Sequence, residues 1–184
     1  MRPSERILTA VLMLTMLLTI TATAEPVQWL GNGHYYELVT DLATWQEADV
    51  AANNRTYLGN PGYLATVTSE AENNFIFWEI VGGNIDTPLG DPWLGGYQNS
   101  DQSEPAENWH WVTDEEWDWT SWAPGEPNDY DQTYAEMYLN YQLWGDAGWN
   151  DHHSLISKAY LVEYSNDVVG VEEHSLTNVK ALFR

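Results

Sequence analysis

Residues Gly125 to Asp151 read GEPNDYDQTYAEMYLNYQLWGDAGWND, and the fold and function of the whole chain turn on how the oxygens in this stretch are spaced. Glu126 and Asn128 flank Pro127, Glu136 follows, and Asn150 and Asp151 stand directly behind Trp149. Three carboxylates and two carboxamides form an all-oxygen donor set of the kind a hard cation selects. Calcium takes about 6–8 such ligands from Asp, Glu, Asn and backbone carbonyls. Five side chains and one carbonyl would nearly fill that shell and leave room for oxygens from solvent or a ligand. The plain alternative is a run of ordinary loop carboxylates in a very acidic protein.

The rest of the chain narrows the choice. It opens MRPSERILTAVLMLTMLLTITATA, with Arg2 and Arg6 ahead of an apolar run and Ala22-Thr23-Ala24 behind it. That pattern predicts a secretory leader over residues 1–24, cleaved before Glu25. The apolar run is shorter than the roughly 20 residues of a spanning helix and is interrupted by threonines, so no membrane insertion is expected after cleavage. What remains is enough for one domain with its own core. With 28 acidic against 6 basic residues the net charge is −22. Such a surface repels phosphate backbones, which excludes nucleic acid as a partner, and it suits cations. There is no cysteine, hence no disulfide, no thiolate metal site and no cysteine nucleophile. Apolar packing must therefore hold the fold, with 11 Trp and 11 Tyr to do it. Trp109, Trp111, Trp117, Trp119 and Trp122 are expected to be core and loop packing rather than a ligand platform.

In chain order, residues 29–40 read as a first strand after a Gly-Asn-Gly turn. Thr44-Trp45-Gln46-Glu47 is a capping box opening a helix with Trp45, Ala48 and Ala52 on one face, ending near Asn53-Asn54. A turn is expected over Gly59–Gly62 and a short strand over Tyr63–Val67. Ser69-Glu70-Ala71-Glu72 is a second capping box, for a helix running through Phe75, Ile76 and Ile80 to Gly82-Gly83. Residues 84–92 read as a loop, and Trp93–Tyr97 as a buried strand whose glycines allow close backbone approach. Further strands are expected at Trp109–Val112, Tyr134–Leu139, Gly148–Asp151 and Lys158–Tyr164. Leu176, Val179, Leu182 and Phe183 of a tail over 166–184 share a helical spacing, which fits either a frayed terminus or a docking tail.

This order of two capped helices, Gly62-x-Leu64-Ala65-Thr66-Val67, Trp93-Leu94-Gly95-Gly96, Glu126-Pro127-Asn128, Trp149-Asn150-Asp151 and a closing aromatic strand resembles the C-type lectin-like domain. The likeness spans residues 29–165 and suggests a cysteine-free, secreted, bacterial-like variant occupying 25–165. It implies an α+β fold in which two helices flank small antiparallel sheets and a long loop carries calcium. It further implies that Glu126, Asn128, Glu136, Asn150 and Asp151 hold that calcium, with Asp151 also giving its carbonyl, and that the Glu126–Pro127 bond is cis. A sugar diol would then lend lone pairs to the ion. The Asn128 and Asn150 amides would donate to the sugar oxygens, and the Glu126 and Glu136 carboxylates would accept the hydroxyl protons. The Glu-Pro-Asn order resembles the mannose type of the family, so the implied partners are a mannose-type glycan or a glycoprotein. Tyr130, next to the triplet, would crowd or stack on the sugar. Two departures stand out. Ala52, Val162, Tyr138 and a residue near Ser154 occupy the places where the family has disulfides. Met137 replaces an aspartate of an auxiliary calcium site, for which Asp101, Glu104 and Asp129 are the remaining candidates.

Other readings stay in view. Many domains of this architecture bind a protein partner without sugar. His152-His153 invites zinc, but neighbours on a strand point to opposite faces and no third soft ligand is evident. A carbohydrate-active enzyme would have to recruit acids such as Asp114, Glu115, Glu116 and Asp118, which read better as a solvated run. No serine-hydrolase, nucleotide or dinucleotide fingerprint is present, so no enzymatic activity is expected. Secretion, to the exterior or the periplasm, follows from the leader. Since single lectin sites bind weakly, an oligomer would suit the function, although no coiled-coil heptads are present.

Overall fold

A computed structural model describes residues 25–83, 91–98, 105–128, 137–141, 147–153 and 155–166. Helix α1 (Trp45–Asn53) starts where the sequence punctuates it. The Thr44 hydroxyl accepts from the Glu47 amide, the Glu47 carboxylate accepts from the Thr44 N–H, and Trp45, Ala48 and Ala52 form the buried face. Helix α2 (Glu70–Phe75) closes only half of its expected box. Ser69 accepts from the Glu72 N–H at 3.3 Å. The Glu72 carboxylate, however, is buried and accepts instead from the Thr68 N–H at 2.8 Å and the Tyr36 hydroxyl at 2.5 Å. The helix continues as a π turn over Ile76–Ile80 and stops at Gly82 and Gly83, whose φ values of 84° and 60° suit a residue without a side chain.

The strands are β1 (Val27–Gln28), β2 (Tyr35–Ala43), β3 (Thr56–Tyr57), β4 (Asn60–Leu64), β5 (Trp93–Gln98), β6 (Trp109–Trp111), β7 (Met137–Tyr141), β8 (Trp149–His153) and β9 (Lys158–Tyr164). The sheet runs β1-β2-β9-β5-β7-β8. One edge of β9 pairs with β2, setting Leu38 opposite Leu161. The other edge takes β4 antiparallel, with Leu64 opposite Val162, and β5 parallel, with Trp93 opposite Tyr160. The fold is α+β, as the sequence predicts. Several boundaries differ, and the strand expected over Tyr63–Val67 already ends at Leu64. The strand expected over residues 29–40 is β2 and begins at Tyr35, because residues 29–34 fold back on themselves with the Trp29 N–H bonded to the His34 carbonyl, and a short strand β1 precedes that turn. The expected turn at Gly59–Gly62 is instead a two-residue hairpin turn at Leu58-Gly59, both with positive φ, so β4 already starts at Asn60. Strands β7 and β8 each end two residues later than expected. Position 62, inside β4, takes glycine because a Cβ there would stand 2.8 Å from the Ala52 carbonyl.

Every residue of β9 is buried, so both faces of the sheet are covered. One face holds Val39, Trp45, Ala48, Ala52, Leu64 and Val162. Ala52 and Val162, at the family's disulfide positions, thus share one apolar cluster. The other face holds Tyr36, Phe77, Leu94, Trp111 and Leu161, with Trp149 at its centre. The tryptophan-rich segment packs there: Trp111, Trp119 and Trp122 each meet the fully buried Trp149 ring edge-on, at 5.7, 5.2 and 5.9 Å between centroids. Among the described residues no helix is long and apolar enough to cross a membrane.

Candidate functional site

Trp149 fixes the geometry of the oxygen-rich stretch. Its indole N–H donates to the Asn73 side-chain oxygen at 2.9 Å, and the Tyr141 hydroxyl donates to the same oxygen at 2.9 Å. The Asn73 amide in turn donates to the Ala147 carbonyl at 2.6 Å and the Ser121 hydroxyl at 3.4 Å. One buried side chain of α2 thereby ties together β7, β8 and the incoming loop. The Trp149 N–H and carbonyl also bond the backbone of Ser121 and Ala123 at 2.7 and 2.9 Å. The start of β8, and with it the Asn150-Asp151 pair, is held on two sides.

Four of the five predicted ligands lie among the described residues, and the structure hydrogen-bonds two of them, Asn128 and Asn150, to a third, Asp151. The Asn128 backbone N–H donates to Asp151 Oδ1 at 2.9 Å across 23 residues of chain. Asp151 is fully buried, Glu126 and Asn150 are partly buried, and Asn128 is exposed. The Glu126–Pro127 bond is cis, as the resemblance implies. The Asn150 amide points inward, donating to the Asp151 carbonyl at 2.8 Å and to Asn140 Oδ1, its cross-strand partner, at 3.3 Å. Both of its N–H bonds are therefore engaged, and a sugar oxygen could take one only if the longer bond to Asn140 opened. Glu136, Tyr130, Asp101, Glu104 and Asp129 lie outside the described residues. Among the described residues no three His, Cys, Asp or Glu side chains cluster as a metal group. The donors that are described, two carboxylates, two carboxamides and backbone carbonyls, fit a hard, oxygen-seeking cation and not a soft one.

The other candidates resolve differently. Asp114, Glu115, Glu116 and Asp118 are all exposed. The His152 and His153 rings meet edge-on at 4.5 Å, closer than strict alternation of faces suggests, and His152 also lies edge-on to Trp93. They read as packing. Sequence reasoning missed Asn73 and Asn140. An asparagine inside a helix is a weak helix former that competes for backbone groups, and that misfit was the one available signal for Asn73.

No family model matches the chain. It is 31% identical to a C-type lectin of Micrurus corallinus over 129 residues, which covers 68% of this chain and 74% of that protein. It is 34% identical to halomucin of Haloquadratum walsbyi over 148 residues, which covers 72% of this chain but only 1% of that much longer protein. Among solved structures it is similar to the C-type lectin CEL-I from Cucumaria echinata, with a TM-score of 0.59 and 23% identity over 77% of this chain and 98% of that one. At that identity the likeness is one of fold.

Proposed function

Since the chain belongs to the C-type lectin family, we propose that it is a secreted carbohydrate-binding protein that recognises mannose-type diols through a bound calcium ion. The observation that carries this reading is the bond from the Asn128 N–H to Asp151, which joins the Glu-Pro-Asn triplet to the Trp-Asn-Asp strand. Glu126, Asn128, Asn150 and Asp151, with Glu136 from outside the described residues, would hold the ion. When bound, calcium supplies a positive centre to which two vicinal hydroxyls lend lone pairs. Asn128, which is exposed, donates its side-chain amide to one sugar oxygen. Glu126 accepts a hydroxyl proton. Asp151, buried and anchored, orients the loop and contributes charge without meeting solvent. The Trp149 cluster beneath keeps these donors in register. The ligand is bound and released intact, so this is a binding module and not an enzyme. Tyr130 and the auxiliary set Asp101, Glu104 and Asp129 belong to the proposal as sugar contact and second cation site respectively.

A glycan array probed with the protein tests this. Mannose-type glycans should give signal in calcium and lose it in chelator. Signal of full strength in chelator, or a ranking led by galactose-type glycans, would contradict it.

A further inference from the structure

A groove of about 500 Å³ runs along the outside of α2, a size within the range of small-molecule sites. Glu70, Asn74 and Trp78 line one wall at intervals of four residues, all three exposed, and Trp119, Thr120 and Pro124 line the other. None of Glu126, Asn128, Asn150 or Asp151 reaches it. Trp78 is 52% exposed, the one aromatic among the large exposed apolar side chains of the described residues. Its ring is nonetheless fixed. Gly83 lies so close beneath it that a Cβ there would stand 2.3 Å from the indole, and the buried Phe77 meets it at 86° and 5.0 Å. Trp78 also sits in the π turn of residues 76–80, an irregularity that is rare in helices and frequent at functional sites. The result is a rigid indole presented to solvent beside a carboxylate, a carboxamide and a hydroxyl.

We propose that this groove is a second carbohydrate site, independent of calcium, in which a neutral pyranose stacks on Trp78. The C–H face of a pyranose is apolar and covers an indole, while its rim of hydroxyls needs acceptors and donors at the edges. Glu70 accepts hydroxyl protons. Asn74 and Thr120 both donate and accept. A nucleobase would also stack, but the net charge of −22 repels its phosphates. The Glu70 carboxylate would also attract a cationic side chain, but the Asn74 amide and the Thr120 hydroxyl are donors, and a polyol offers them acceptor oxygens where an ammonium or guanidinium offers none. Two sites on one domain would let a single chain bridge two glycans, giving avidity without an oligomer.

Saturation-transfer NMR on the full protein in excess EDTA, with mannotriose and maltotriose as probes, separates this site from the proposed calcium site. Transfer to the sugar C–H protons should persist in EDTA. It should fall about tenfold in Trp78→Ala, and equally in Asn74→Arg, which fills the groove and leaves the Trp78–Gly83 stack intact. Melting curves identify any variant that has unfolded. The proposal is overturned if the parent shows no transfer in EDTA, if neither folded variant loses it, or if a lysine-rich peptide takes up the groove while no sugar does.

Discussion

Asn128 meets both sides of the proposed site at once, its backbone N–H on Asp151 and its side chain at the exposed rim. Exchanging Glu126→Gln together with Asn128→Asp moves donor and acceptor around the ion without altering size. The double variant should shift preference from mannose-type toward galactose-type diols, read as the rank order on a glycan array. An unchanged order would remove these two residues from the sugar contact. The proposed site could be drawn from the sequence because oxygen donors on both sides of Pro127 and directly behind Trp149 match the demands of a hard cation. The inward turn of the Asn150 amide could not, since it depends on Asn140, a partner only strand pairing supplies. Replacing Asn140→Ala releases one Asn150 N–H, and sugar affinity should then hold or rise while a buried amide contact is lost.

The two helices do different work. Thr44 caps α1 at a solvent-facing end, so Thr44→Ala should cost about 1 kcal/mol of stability by denaturant titration and leave calcium affinity unchanged. Asn73 lies in α2 but serves β7 and β8. Asn73→Leu would leave the Trp149 indole N–H buried without its acceptor, at about 1–3 kcal/mol, and would leave the Tyr141 hydroxyl only its longer 3.4 Å bond to the residue 73 carbonyl. It should weaken calcium binding beyond any loss of fold, because Asn150 and Asp151 follow Trp149 directly. Calcium affinity equal to the parent in a folded Asn73→Leu protein would show that β8 is held without it. The first helix, its cap and its buried face, and the closing strand Lys158–Tyr164 were readable because local punctuation and period agree there. The half-open second cap was not. Glu72 has a choice between its own Ser69 N–H and the buried Tyr36 hydroxyl, and a contact 36 residues away leaves no mark on local pattern.

Across the whole molecule the same Glu72 belongs to a buried acid network. Its carboxylate accepts from Tyr36 and Asn32, and the Tyr36 hydroxyl also reaches Glu163 at 3.2 Å, where His34 Nδ1 lies 2.5 Å from the same carboxylate. Burial, and then the charge of Glu163, push the Glu72 carboxyl above its ordinary value. Burial pushes Glu163 up as well, against the pull of His34. The folded state therefore keeps protons that the unfolded chain has already released. Stability from these groups is greatest on the acid side of that window and falls as pH rises through it. In chelator, which removes the opposing release of calcium by acid, the melting temperature should fall as pH climbs above the ordinary glutamate range. Glu72→Gln should flatten that slope, and an unflattened slope would mean the network does not titrate. The most direct test of the central claim is calorimetric titration of calcium into the parent protein and into Asp151→Asn at neutral pH. The account predicts a saturable, single-site heat in the parent with Kd of about 10⁻⁴–10⁻³ M and none in Asp151→Asn. No heat in the parent, or the same heat in both proteins, would contradict it.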